Sequence, residues 1–146
     1  MKNIVVLALF ISSFCFGQTS DNELIKAKIQ QLFTGMKNAD PEMIKTAFTE
    51  NAILQSVSKN GTVKNENIAE FIASISKLSK NDADERITFE SVLIDDNLAS
   101  VFTPYEFYYK GNFSHCGVNS FQMVKQNGSW KIQYLIDTRR KENYKK

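Results

Sequence analysis

Apolar positions recur at helical spacing through the first half of the chain and at alternating spacing through the second. Ser20-Asp21-Asn22-Glu23 reads as a capping box, with Ser20 as N-cap and Glu23 three residues on. Behind it Ile25, Ile29, Leu32, Phe33 and Met36 form one stripe, which predicts a helix running to about Asn38. Asp40-Pro41-Glu42 is a second start signal, an N-cap followed by proline in the first turn. The short helix it opens would bury Met43, Ile44, Ala47 and Phe48. "AILQSV" (52–57), a break at Asn60-Gly61 and "TVK" predict a small hairpin. Asn65 then caps a third helix, whose Ile68, Phe71, Ile72, Ile75 and Leu78 face the core.

From Glu85 the period changes to two, and four strands are predicted over 85–95, 98–110, 113–125 and 129–138. Asp96-Asn97, Gly111-Asn112 and Asn127-Gly128 are read as their two-residue turns. Three N-terminal helices followed by an antiparallel meander make the fold class α+β, with the helices packed on one face of the sheet. Pro104 and Gly117 fall mid-strand, where one cannot donate to a ladder and the other has no side chain to pack. A 13-residue strand would extend roughly 43 Å, more than a small domain needs. Both features predict a sheet that bends sharply through a bulge, is strongly curved and encloses a cavity.

The turns set a register. A Gly111-Asn112 loop pairs Tyr108 with His115, Glu106 with Gly117, Pro104 with Asn119 and Phe102 with Phe121. An Asn127-Gly128 loop pairs Met123 with Ile132, Phe121 with Tyr134 and Asn119 with Ile136. One face then carries Phe102, Phe121, Met123, Trp130, Ile132, Tyr134 and Ile136, and on the same parity Glu106, Tyr108, His115 and Asn119. The opposite face carries Thr103, Ser120, Gln122, Lys131, Gln133, Asp137 and Arg139, and reads as wetter. On this register Phe102, Glu106, Tyr108, His115, Asn119, Phe121 and Tyr134 line a small-molecule pocket that is mostly apolar with a few placed polar groups. Glu106 beside His115 would serve as general base or as orienter of the imidazole, with Tyr108 or Asn119 donating to a developing oxyanion. The plainer alternatives are a hydrogen-bonded structural His115, a half-exposed Glu106 and wall tyrosines with satisfied hydroxyls. Cys116 points away from His115, which argues against a Cys–His dyad. Asp137 with Arg139 or Arg140 reads as a surface ion pair.

Composition narrows the function classes. At 146 residues, 42% apolar, this is one domain with a real core, and a net charge of +2 without a dense basic block leaves nucleic-acid binding no electrostatic footprint. "MKNIVVLALFISSFCFGQTSDNE" opens with Lys2, an apolar run Ile4 to Phe14 and a small-x-small site at Cys15-Phe16-Gly17. That pattern is a secretory signal peptide over 1–17, too short to span a bilayer, and it predicts an exported (periplasmic or secreted) domain over 18–140 with a basic tail at 141–146. Lipid anchoring at Cys15 is disfavoured by bulky Phe14. Cleavage would leave Cys116 as a lone buried thiol. One histidine, one thiol and scattered acids offer no metal-ligand spacing, and no cofactor is expected.

The runs "FTGMKNADPEMIKTAFTENAIL" (33–54), "TPYEFYY" (103–109) and "SHCGVNSFQMVKQNGSWKIQYLIDTRR" (114–140) resemble the nuclear-transport-factor-2-like superfamily over nearly all of 20–140. Within it they are similar to the subgroup called putative lumazine-binding proteins. The resemblance implies a cone-shaped fold and a homodimer through the outer sheet faces, with Tyr105, Phe107 and Val118 as contacts. It also gives precedent for enzymes using carboxylates, Tyr and His inside the cone, although no catalytic residue carries over by position. Fold alone does not license an activity. The leading expectation is therefore an exported protein that binds a small apolar or aromatic molecule without turnover. Its competitors are an isomerase, dehydratase or cyclase using Glu106, His115 and Tyr108, and a dimeric interaction module.

Overall fold

The computed structural model describes residues 20–141; the signal-peptide expectation and most of the tail lie outside the described residues. The chain forms α1 (Asp21–Asn38), α2 (Pro41–Lys45), β1 (Phe48–Val57), β2 (Val63–Glu66), α3 (Ile68–Ile75), β3 (Ala83–Ile87), β4 (Ser91–Asp95), β5 (Leu98–Tyr109), β6 (Asn112–Gln126) and β7 (Ser129–Thr138). The fold is α+β, as the change of period predicts.

The helices begin where the caps place them, with one exception. Ser20 accepts from the Glu23 amide at 3.4 Å and Asp40 from the Met43 amide at 2.9 Å. α3 is capped by Asn67, which accepts from the Glu70 amide at 3.1 Å. Asn65 is instead held in β2 against Gln55, so the cap falls two residues later than expected. α1 ends at Ala39 in the left-handed region (φ 54°), where a glycine would be the usual choice. Gly35 lets α2 fold back closely, because a Cβ there would stand 2.8 Å from Ile44 Cγ1.

The sheet corrects the predicted meander in three ways. Its order is β2-β1-β7-β6-β5-β3, with β4 also pairing β5. β1 runs parallel to β7, so the sheet is seven-stranded and mixed, not four-stranded and antiparallel. It is also not strongly curled. The predicted strand 85–95 is two strands, because β5 changes partner from β3 to β4 across Thr88-Phe89-Glu90. Pro104 sits at that change of partner: its carbonyl accepts from Thr88 at 2.9 Å, and no amide is needed on that edge. A proline in the ladder therefore marks a partner switch and not a sharp bend.

The stripe of α1 lies against β5, β6 and β7. Ile25, Ile29 and Leu32 are at most 1% exposed and share a core with Val101, Phe121, Met123, Trp130 and Ile132. Phe33 meets Phe121 edge-on at 6.2 Å. Asp21, in the first turn of α1, accepts from Trp130 Nε1 at 2.9 Å and from Lys125 Nζ at 2.8 Å, which fixes the helix over the β6–β7 turn. Each large apolar side chain buried here contributes about 1.5–3 kcal/mol.

Gly117 has a specific use. It pairs with Tyr105, and a Cβ on it would overlap the Thr138 carbonyl and stand 2.9 Å from Tyr105 Cε1. The end of β7 crosses directly over this position, and Tyr105 donates to the Thr138 carbonyl at 2.9 Å. Gly117→Ala is expected to cost at least about 2 kcal/mol, because backbone must move to admit one methyl group. Ser114→Ala, at an exposed position, should stay within about 0.5 kcal/mol of the parent in urea denaturation.

Candidate functional site

A cavity of about 390 Å³ lies between α1 and α3 above and the sheet below. α1 supplies Leu32, Phe33 and Met36, and α3 supplies Phe71, Ser74 and Ile75, each set on one helical face. Leu54 of β1 and Leu135 of β7 complete the apolar wall. The floor is polar: Glu66, Glu85, Asn119, Asp137 and Arg139, with His115 and Phe107 beside them. Alternation along β7 places Leu135, Asp137 and Arg139 on one face, and alternation along β6 does the same for His115 and Asn119.

These floor residues are wired to one another. Asp137, 8% exposed, accepts from Tyr105 Oη at 3.1 Å and from Arg139 Nε at 2.8 Å. Burial first, and then the negative charges of Asp137 and Glu85, hold the Tyr105 hydroxyl well above its ordinary value, so it stays a donor. Arg139 Nη2 stands 3.9 Å from Glu66, whose Oε1 also accepts from Ser56 at 3.0 Å. Asn119 Nδ2 donates to Glu85 Oε1 at 2.8 Å. The Glu85 carboxyl is pushed up from 4.5 to about 7, chiefly by burial, with the Asn119 hydrogen bond opposing and the Asp137 charge adding. His115 stands edge-on to Tyr105 at 5.7 Å and 5.0 Å from Phe107. Burial, then the Arg139 charge, lowers its pKa from 6.5, while Asp137 opposes.

The predicted site residues separate into two groups. His115 and Asn119 line the cavity. Phe121 is inward but fully buried in the core beneath it. Phe102, Glu106, Tyr108 and Tyr134 face the other side of the sheet. Phe102 is 40% exposed, Tyr108 donates to Glu106 at 3.0 Å under the Arg86 guanidinium, and Tyr134 donates to Gln55 at 2.7 Å. Glu106 pairs with Cys116, not Gly117, so Glu106 and His115 are not brought together. Cys116 is fully buried on the face opposite His115.

The cause is a register one residue away from the expected one. The β5–β6 turn is Lys110-Gly111, both at positive φ (49° and 79°), pairing Tyr109 with Asn112. Glycine takes the second turn position, as it does in Asn127-Gly128 (50° and 76°). Further shifts at Ser114 and at Gln133 pair Phe107 with His115, Thr103 with Asn119 and Asn119 with Asp137. One such step moves every side chain to the other face. Thr103, Asp137 and Arg139, read as the wetter face, therefore turn inward, and so do Tyr105 and Phe107, read as dimer contacts. Glu66 and Glu85 were outside the predicted site. The shared X-Gly pattern of the two turns is the sequence signal that locates the β5–β6 turn; the face of each side chain then follows from the extra residues at Ser114 and Gln133. Among the described residues no group of His, Cys, Asp and Glu is placed to hold a metal.

The sequence profile of the family described as putative lumazine-binding matches residues 20–134. No curated protein matches the sequence. Among solved structures, the chain is similar to a nuclear-transport-factor-2-like protein of unknown function from Shewanella baltica. That pair is 16% identical, with a TM-score of 0.67 over 86% of this chain and 100% of the other. A second such protein, from Silicibacter pomeroyi, is 17% identical at a TM-score of 0.66, covering 82% and 95%. A ketosteroid isomerase-like protein from Erwinia carotovora is 15% identical at 0.59, covering 80% and 94%. At these identities the likeness is one of fold.

Glu85 gives this site a pH signature. Its folded-state pKa lies above the unfolded one, so folding takes up a proton between about 4.5 and about 7. The cost of the buried charge is absent below about pH 4.5, grows through the interval and is complete above about pH 7. Glu85→Gln is expected to be more stable than the parent by about 1–3 kcal/mol at pH 8, with the gain vanishing at about pH 4. Urea denaturation at the two pH values checks this, and any His115 contribution cancels between the two proteins.

Proposed function

The chain belongs to the family described as putative lumazine-binding, and from that premise we propose that it binds one small, flat, ring-bearing molecule in the cavity beneath α1 and α3 without transforming it. The observation that carries this reading is the cavity itself. Its volume of about 390 Å³ falls in the range of small-ligand sites, with apolar helix side chains above and converging polar groups below. A bicyclic heteroaromatic such as lumazine has the matching character, two apolar faces and an edge of hydrogen-bonding atoms. Phe107 and Phe71 offer ring contacts to the faces, and Glu85, Asn119 and Arg139 lie where an edge would be received.

A second reading is favoured by one observation, the Glu85 carboxyl held near neutrality. A carboxyl tuned to about 7 is suited to general acid–base work, so an isomerase- or dehydratase-type activity would run on Glu85, with His115 across Phe107 in the same cavity. Glu106 and Tyr108 have no part in it, because the sheet separates them from the cavity.

The leader pattern at residues 1–17 supports export, and no helix among the described residues is long and apolar enough to cross a membrane. Self-association would use the outer sheet face, where Leu93, Leu98 and Phe102 are 68%, 50% and 40% exposed. Native mass spectrometry of the protein recovered from the periplasm or medium tests the three together. The expected species begins at Gln18, carries one added small-molecule mass and is a dimer. Ser74→Trp, which plugs the cavity from an exposed helical position, should lose the added mass and keep the fold. An added mass that survives Ser74→Trp would place the ligand elsewhere.

A further inference from the structure

The hydrogen-bonding and charge balance of the cavity points to the class of ligand; the inference rests on the binding reading above and deepens it. Four carboxyl groups open onto this space, Glu66, Glu70, Glu85 and Asp137, against a single guanidinium, Arg139. That guanidinium is already engaged, with Nε and Nη2 on Asp137 at 2.8 and 3.5 Å. His115 adds no dependable positive charge, because burial and Arg139 both favour its neutral ring.

The donors are largely spent inside the protein. Asn119 Nδ2 is on Glu85, Tyr105 Oη is on Asp137 and the Thr138 carbonyl, and Ser74 Oγ is on the Phe71 carbonyl. Apart from the outer N–H groups of Arg139, the capacity left over is accepting and anionic. Glu85 has Oε2 free on the floor of a walled cavity, and the Glu70 carboxylate stands unpaired at its rim. An acceptor set of this kind holds donors, most strongly charged ones. Phe107 and Phe71 add aromatic faces, whose negative quadrupole attracts a flat cation and repels an anion.

We propose that the ligand is a cation: a flat ring bearing a protonated nitrogen, amine or amidine in type, delivered to the free oxygen of Glu85, with anionic rings excluded by the surrounding carboxylates. The unpaired oxygen on the cavity floor carries the assignment, and the excess of acids supplies its sign.

Three near-isosteric probes separate charge from shape: benzamidine, benzamide and benzoate, titrated at pH 8, where Glu85 is ionised, against the full-length mature chain and followed by amide chemical shifts. Benzamidine is expected to bind about tenfold or more tightly than the other two, the scale of one charge-assisted hydrogen bond. Shifts should centre on Phe107, Asn119 and Leu135 and disappear in Ser74→Trp. Glu85→Gln should remove the preference for benzamidine over benzamide, and Glu85→Asp should restore part of it. Equal affinity for the three, or tighter benzoate, overturns the charge assignment and leaves the cavity reading standing. A benzamidine preference that survives Glu85→Gln overturns the role of Glu85. Binding of none of the three removes both this inference and the cavity reading on which it rests.

Discussion

Lys110 and Gly111 both take positive φ in a two-residue turn, and the register of the β5–β6 hairpin follows from that geometry. A primed turn matches the twist of its strands only with two left-handed residues, and glycine carries the second at no steric cost. Tyr109 is thereby paired with Asn112, and the extra residue at Ser114 carries the ladder on to Phe107–His115 and Thr103–Asn119. Those pairings decide which side chains meet α1. They also place Gly117 under Tyr105, where the end of β7 can cross and bring Asp137 and Arg139 inward.

The polar floor is tolerable because nearly every group in it has a partner. A buried carboxylate without donors would cost several kcal/mol, and Asp137 avoids that with Tyr105 and Arg139. Glu85 has only the Asn119 amide, and its carboxyl responds by holding its proton toward neutrality. The floor therefore contains one fully compensated acid and one that is not. Above it the two helices differ in the same way. α1 is anchored along its length by buried residues, whereas α3 is eight residues long and buries only Ile75. The wall of the cavity that can yield to a ligand is the α3 side.

Much of the fold is legible in local chemistry. The caps at Ser20 and Asp40, the stripe of α1 and the change of period at the start of the β region are each set by neighbours in sequence. Phe121, Met123, Trp130 and Ile132 are inward as their alternation indicates, since burial of large apolar groups dominates whatever the register. His115 and Asn119 reach the cavity for a different reason: they lie on β6 in the same parity as Phe121. Glu106, Tyr108 and Phe102 lie on the other face because the extra residue at Ser114 reverses the parity of β5 against β6, whereas moving the two-residue turn by one position shifts the pairing by two and leaves the faces unchanged. Tyr134 was misplaced by the extra residue at Gln133, which no short pattern announces.

The sequence by itself therefore determined the elements, their α+β order, the helix-facing core and the family, because helical stripes, caps and turn residues act over a few positions. Only the tertiary structure decided the parallel pairing of β1 with β7, the partner switch at Pro104 and the identity of the polar floor. Glu66, Glu85, Asn119 and Asp137 come from four strands, with Arg139 just beyond the end of β7, and are drawn together by ladder register. Register is a property of paired strands, and a single inserted residue reverses it. The chemistry of this protein rests on that non-local quantity, and its fold does not.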